Sequence, residues 1–217
     1  MDTRLVSWAR AVKSRGRNFG AALPVVWLFS DAARTPDVLA AVRTLPPRSG
    51  VVFRHDGVPG RAGLARAVRA ACRAGGHLMV MTAPAIGGVG LHVRAGRRPN
   101  VRRLPALVTS SAHSRAEVLR ARRLGAQVVF LSPLFETASH VGVRGMGAQR
   151  WCRVGLGLGP VWALGGISPA RVRGVPSCCA GFGAIGAFAP CGARATVFHD
   201  CHGGPLRTVA KDGAARQ

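Results

Sequence analysis

Val128-Val129-Phe130-Leu131-Ser132-Pro133-Leu134-Phe135-Glu136-Thr137-Ala138-Ser139-His140 is an apolar run that breaks into a short polar loop at its C-terminal end. Four branched or aromatic residues in a row, with no polar alternation, suit a strand buried on both faces, as in a parallel sheet. Upstream, Ser110-Ser111-Ala112-His113-Ser114 closes another apolar run in the same way. Downstream, Val161-Trp162-Ala163-Leu164-Gly165-Gly166-Ile167 closes a third. Strands whose C-terminal ends all turn to polar or glycine residues point to a barrel of alternating strands and helices, because those ends converge on one face.

Working outward from these three, candidate strands fall at Val25–Ser30, Gly50–His55, His77–Met81, Gly90–Arg94, Ala106–Ser110, Gln127–Ser132, Val161–Gly165 and Gly181–Gly186. Helical periodicity is clearest over Gly60–Ala74, where Leu64, Val68, Ala71 and Cys72 share a face, and over Ser114–Leu124. In the latter, Ser114 and Glu117 form a capping box, Val118, Ala121 and Leu119 are the inward candidates, and Gly125 ends the helix. Ser168-Pro169 has the cap and first-position proline of another helix start. Eight strands with intervening helices predict an α/β fold, a TIM (β/α)8 barrel, as a single compact domain with an irregular C-terminal tail. An open doubly wound sheet would want a glycine fingerprint after its first strand, and Phe29-Ser30-Asp31-Ala32-Ala33 has none. Residues 1–20 read as a polar leader with some helical character, 21–190 as the barrel, and 191–217 as an irregular or disordered tail.

A chain of 217 residues suits one compact barrel. Its 31 basic and 8 acidic residues leave a formal net charge of +23, which taken alone suggests a polyanionic partner. The positive charge is nearly all arginine and is spread along the chain rather than gathered in one stripe. The phenylalanines Phe53, Phe130 and Phe135 lie in or beside core runs, not on a stacking platform. No specific nucleic acid is therefore expected. Neither a secretory leader nor a membrane-length apolar stretch is evident, so the expectation is a cytoplasmic protein with reduced thiols and no membrane partner. Cys191, His199, Cys201 and His202 have ligand chemistry, but their spacing fits no zinc template, and no metal site is assigned.

The candidate site residues follow from the strand ends. Gly165-Gly166-Ile167 and Gly183-Ala184-Ile185-Gly186 lie where barrels bind phosphate, since glycine lets backbone N–H groups approach an anion; tight strand-to-helix turns would require the same residues. His113 carries an imidazole that can take a proton from one carbon and deliver it to another, or serve as a structural hydrogen-bonding group. Ser111 can orient it or bind substrate. Thr137, Ser139 and His140 make a polar loop suited to oxyanions, while Glu136 is either a second acid–base group or a solvated charge. Arg54 and His55 sit where an anionic ligand would meet the second strand, and Arg54 can grip an oxyanion with two donors.

These ordered segments, from about Val25 to Phe188, resemble the thiamine phosphate synthase / TenI family. The resemblance is carried most by Ser110–Ser114, Phe130–His140, Ala163–Ile167 and Ala180–Phe188. It implies a small-molecule thiazole phosphate as ligand, with Ser111, Thr137, Ser139, Gly166, Ile185 and Gly186 where the family holds that phosphate. Synthases of the family join a pyrimidine diphosphate to the thiazole phosphate with Mg²⁺. They carry a Gln-x-Arg-x-Lys cluster after strand two and magnesium-binding aspartates after strands three and four. Here the matching stretches are Val52-Phe53-Arg54-His55-Asp56, Met81-Thr82-Ala83-Pro84 and His92-Val93-Arg94-Ala95-Gly96-Arg97, so only Arg54 survives. His140 stands where synthases tend to have lysine. TenI-type thiazole tautomerases use a histidine in a Ser-x-His-Ser motif, which Ser111-Ala112-His113-Ser114 reproduces. The resemblance thus implies a cofactor-free tautomerase with His113 and Glu136 as catalytic residues. The alternatives are a divergent synthase, which would require Mg²⁺, and a non-catalytic phosphate-ligand binder. Homo-oligomerisation is left open.

Overall fold

Eight strands that each bury both faces can hide every backbone edge only by closing on themselves. The computed structural model describes residues 3–15, 23–137 and 144–188. Within them, β1 Val26–Phe29, β2 Gly50–Phe53, β3 Leu78–Met81, β4 Gly90–Arg94, β5 Val108–Ala112, β6 Val128–Leu131, β7 Trp162–Ala163 and β8 Gly181–Ile185 form a closed barrel in sequence order. All neighbouring pairs are parallel, and β8 returns to β1 with Trp27 opposite Gly183. The predicted strands are all present, with ends displaced by at most two residues.

Alternation along the strands sorts the core in two. Trp27, Phe29, Val52, Val80, Val128, Phe130, Trp162 and Leu164 form one cluster, the barrel interior. Their strand neighbours Leu28, Val51, Phe53, Met81, Val129, Leu131 and Phe182 belong to the other, which packs against the outer shell. Three large rings meet edge to face inside: Phe130 lies 4.7 Å from Phe29 and 5.5 Å from Trp27. Glycines make room for them. A Cβ on Gly50 would enter the Trp27 ring, one on Gly183 would lie 2.6 Å from Phe29, and one on Gly181 2.6 Å from the Trp162 indole nitrogen. Gly183, expected at an anion site, is thus also a spacer for Phe29. The Trp27 and Trp162 indoles of the barrel interior both donate to the Pro24 carbonyl, each at 2.8 Å, so neither N–H is left unpaired beneath the barrel.

Outside the strands, α1 Thr3–Arg15 occupies most of the expected leader. Leu5 is buried and Trp8 meets Phe182 edge-on at 5.2 Å. The short α2 Val38–Arg43 is capped by Asp37, whose carboxylate accepts from the Ala40 N–H at 2.9 Å. Ala65, Val68 and Cys72 form the buried face of α3 Arg61–Ala74. In α4 Arg115–Arg123, Ser114 caps as expected, and Val118 and Ala121 are buried while Leu119 is exposed. Trp151 anchors α5 Gly147–Gly155, its indole donating to the Leu131 carbonyl at 2.9 Å.

The shell is thinner than the alternating pattern predicts. Among the described residues, neither the β3–β4 nor the β4–β5 connection carries a helix. Residues 82–89 are too few for a helix and two turns, and they contain Pro84, Gly87 and Gly88; residues 95–107 contain Pro99 and Pro105. Arginines of α3 hold the first connection instead. Arg61 donates to the carbonyls of Pro84 (2.6 Å) and Thr82 (2.8 Å), and Arg69 to that of Gly87 (2.5 Å). The helix expected from Ser168-Pro169 is only a 3-10 turn, Val172–Gly174, because Pro176 drives Val175 into extended backbone. No helix among the described residues is long and apolar enough to cross a membrane.

Filling the space of Gly183 tests the ring-and-glycine packing. Gly183→Ala should lower urea-measured stability by about 1–3 kcal/mol, as overpacked cores do. Phe29→Leu in the same chain should recover part of the loss. A neutral Gly183→Ala would show that the interior has slack.

Candidate active site

Parallel strands deliver all their C-terminal ends to one face, and a cavity of about 610 Å³ opens there. Its floor is the top of the barrel interior, Phe29 and His92. His92 points inward from β4. Its Nδ1 lies 2.8 Å from the Thr109 hydroxyl, and its ring meets Phe29 edge-on at 5.5 Å. Burial, aided by the charges of Arg54 and Arg94, pushes its pKa from an ordinary 6.5 down to about 3, so the ring is neutral at physiological pH.

One wall, from β1, β2 and β4, is ionic. Arg54 lies over the Phe29 ring at 5.5 Å, donates through Nε to the Ser30 carbonyl at 3.3 Å, and approaches Asp31 at 3.5 Å. Arg34 holds the same Asp31 oxygen at 2.9 Å. Burial acts to raise the Asp31 pKa, but the hydrogen bonds and charge of Arg34, with the charge of Arg54, hold it below the usual carboxylate range. Asp56 is likewise shared, by Arg61 at 3.2 Å and Arg94 at 3.1 Å, and it accepts from the Thr82 hydroxyl at 2.5 Å.

The opposite wall, from β5 to β8, sets the hydroxyls of Ser111, Ser132 and Thr137 and the imidazole of His113 beside Gly165 and the apolar Pro133, Leu164 and Ile185. His113 follows β5 directly, and its backbone N–H donates to Glu117 of α4 at 2.7 Å, so the expected capping box reaches back to pin this residue. Its Nδ1 lies 3.2 Å from the Ser132 carbonyl and 3.2 Å from the Ser132 hydroxyl. A carbonyl can only accept, so that contact selects the Nδ1–H tautomer and leaves the Nε2 lone pair available as a base.

A family model described as thiamine monophosphate synthase matches residues 61–187, from α3 through β8. The chain belongs to the thiamine phosphate synthase / TenI family. Among solved structures, thiamine phosphate pyrophosphorylase from Pyrococcus furiosus superposes with a TM-score of 0.60 at 20% identity, over 74% of this chain and 84% of that one. A FabK mutant from Thermotoga maritima gives a TM-score of 0.43 at 14% identity, over 80% of this chain and 65% of that one. At 20% identity the likeness to the Pyrococcus furiosus protein is one of fold. No curated protein matches the sequence.

Of the residues expected at the site of this family member, Arg54, Ser111, His113, Thr137, Gly165 and Ile185 line the one cavity. Gly166 and Gly186 flank it in left-handed backbone, φ 64° and 71°, which a side chain would strain. Gly165 and Gly166 also let the β6 loop close on β7: the Phe135 N–H donates to the Gly165 carbonyl at 3.1 Å, and a Cβ on Gly166 would lie 2.8 Å from that of Phe135. Glu136 is exposed outside the cavity lining, its carbonyl taking a hydrogen bond from Arg171 at 3.1 Å. His55 turns away from the cavity. It is buried, stacked on Phe53 with centroids 4.9 Å apart, and bonded to the Ser30 hydroxyl at 3.0 Å. Ser139 and His140, and the tail residues Cys191, His199, Cys201 and His202, lie outside the described residues.

Six polar or charged cavity residues were not singled out from sequence: Asp31, Arg34, Asp56, His92, Arg94 and Ser132. Strand alternation carries the signal for several. His92 and Arg94 continue the inward register of Gly90, Ser132 that of Val128 and Phe130, and Asp56 that of Val52 and Arg54. The donor set fits Mg²⁺ poorly. That ion wants one or two free carboxylates, and each of the two here already holds two guanidiniums, while Thr82 and Arg94 stand at the ends of β3 and β4. Among the described residues no group of three or more His, Cys, Asp or Glu gathers around a common point.

His92 makes stability pH-dependent. The unfolded chain takes up a proton near pH 6.5 that the folded chain refuses down to about 3, so stability present above 6.5 is lost as pH falls through that window. The slope approaches about 1.4 kcal/mol per pH unit, or about 2 kcal/mol between pH 6.5 and 5. Burial lowers the pKa of His55 and His77 in the same direction. Urea midpoints at about pH 7 and about pH 5 should therefore diverge less in His92→Gln than in the parent; equal divergence would place His92's proton uptake elsewhere.

Proposed function

We propose that this member of the family is a TenI-type thiazole tautomerase, working on a thiazole carboxylate phosphate without a metal. The observation that carries the reading is His113, held by Ser132 through Nδ1 at 3.2 Å in a cavity that also takes up Ser111 and Thr137. In that tautomer, Nε2 removes a proton from one carbon of the substrate ring system. The electron pair shifts the double bond, and the imidazolium returns the proton to a second carbon, giving the aromatic ring with no net change in protons. Ser132 accepts from Nδ1–H throughout and stabilises the cation formed between the two steps.

The phosphate would be taken by Ser111, Thr137, Ser139 and the backbone around Gly165, Gly166, Ile185 and Gly186, where glycine allows close approach. Arg54 supplies a cation for a second anionic group on the opposite wall, and the neutral His92 and Phe29 beneath give the ring an apolar floor. Glu136 stays outside the chemistry in this reading, its side chain being exposed.

A synthase is the second reading, favoured by the description of the family model and by the likeness to the Pyrococcus furiosus protein. It asks for Mg²⁺ where the cavity offers Arg94 and paired carboxylates, and it ranks second for that reason.

Proton NMR of the non-aromatic thiazole carboxylate phosphate, with protein and EDTA, tests the proposal. Conversion to the aromatic tautomer is expected, and His113→Ala should slow it about 10²–10⁴-fold, the usual size of an acid–base contribution, while ligand binding persists. Unchanged turnover in His113→Ala removes the assignment. Pyrophosphate release only with Mg²⁺ and the pyrimidine diphosphate would establish the synthase, and binding without either turnover a non-catalytic binder.

A further inference from the structure

The shell is also thin between β7 and β8, where a 3-10 turn of three residues stands in place of a helix. Cys178, in this connection, meets Cys152 of the neighbouring α5. Their Sγ atoms are 2.7 Å apart, although the residues are 26 positions apart in sequence. Both are within reach of solvent, Cys178 exposed and Cys152 half-buried. The backbone on each side is held. Cys152 lies next to Trp151, the buried anchor of α5. Cys178 precedes Cys179, which is buried and bonded through its N–H to the Pro176 carbonyl at 3.2 Å, and Ala180, whose N–H donates to the Val161 carbonyl at 2.8 Å. The two sulfurs are therefore brought together by the fold. Cys72 and Cys179 contrast with them: burial pushes each thiol up to about 12, and neither is accessible.

We propose that Cys152 and Cys178 are a disulfide-forming pair, a modification site that staples α5 to the β7–β8 connection where the helical shell is missing. The oxidant is a small disulfide such as oxidised glutathione. The Cys178 thiolate attacks one glutathione sulfur, forming a mixed disulfide and releasing one glutathione thiol. Cys152 then attacks the Cys178 sulfur, the protein disulfide forms and the second glutathione thiol leaves. The protein gives up two protons and two electrons, and the reagent disulfide is reduced to two thiols. Burial and the hydrogen bond with Cys152 raise the Cys178 pKa, so exchange quickens as pH rises above neutrality.

The full-length protein, reduced and then exposed to oxidised glutathione at about pH 8.5, is mapped by mass spectrometry without reductant, alongside a thermal melt. The expected result is a Cys152–Cys178 linked peptide. The Tm should rise by roughly 10 °C, as a cross-link closing a loop of this size produces, and the rise should vanish with dithiothreitol. Cys178→Ser and Cys152→Ser should each lack both the link and the rise. Glutathione remaining on Cys178, a link from either residue to Cys179, Cys191 or Cys201, or both sulfurs still open to alkylation would overturn the pair. A link that leaves the Tm unchanged would overturn the staple.

Discussion

Everything at the mouth of this barrel rests on how its inside is filled. A closed sheet of eight parallel strands has no edge to leave unpaired, but it has a fixed interior volume that side chains must occupy. This chain fills it with few, large groups: Trp27, Phe29, Phe130 and Trp162, set against glycines at 50, 181 and 183. A ring on one strand takes the space that the adjacent strand has given up. The consequence reaches the site directly, since Phe29 is the top of that stack and also the floor of the cavity, supporting His92 at its edge and Arg54 above its face.

The cavity that results has two unlike walls. On the β1, β2 and β4 side, two aspartates each hold two arginines, which fixes the guanidiniums in place and neutralises part of a chain otherwise strongly positive. On the β5–β8 side there is no ion pair among the described residues; hydroxyls, left-handed glycines and an imidazole fixed through Nδ1 by Ser132 stand beside Pro133, Leu164 and Ile185. An anionic ligand placed across this space, as the proposed function requires, would meet cations on one side, and on the other backbone, hydroxyls and the His113 imidazole. That division suits chemistry in which one group only binds and another moves a proton.

The abundance of arginine over lysine has a structural use here. Among the described residues three connections lack an α-helix, and guanidiniums reach backbone carbonyls left outside regular structure: Arg61 and Arg69 over the helix-less β3–β4 connection, and Arg122 over Ala126 and Gln127 just past the end of α4. A planar fork of several donors can serve two carbonyls at once, which an ammonium does less well. The same economy leaves the β7–β8 sector with little covering, the place where the two thiols meet.

How much of this could be read from the residues alone follows from the range of the forces involved. Continuous apolar runs, a Ser114–Glu117 cap and polar or glycine strand ends are local patterns. They determined the eight strands, the barrel, the site-bearing face and the candidacy of His113, Arg54, Ser111, Thr137 and Gly165. The missing helices were partly visible in Pro84, Pro99, Pro105 and Pro176, since proline acts on its immediate backbone. The tertiary structure alone decided which residues share a wall. It turned His55 behind β2 while placing Asp56 on the cavity, lowered the His92 pKa by burying it against Phe29, and set Ser132 against His113 and Cys152 against Cys178. Those pairings join residues far apart in sequence through strand register and barrel closure, and no local pattern carries that information.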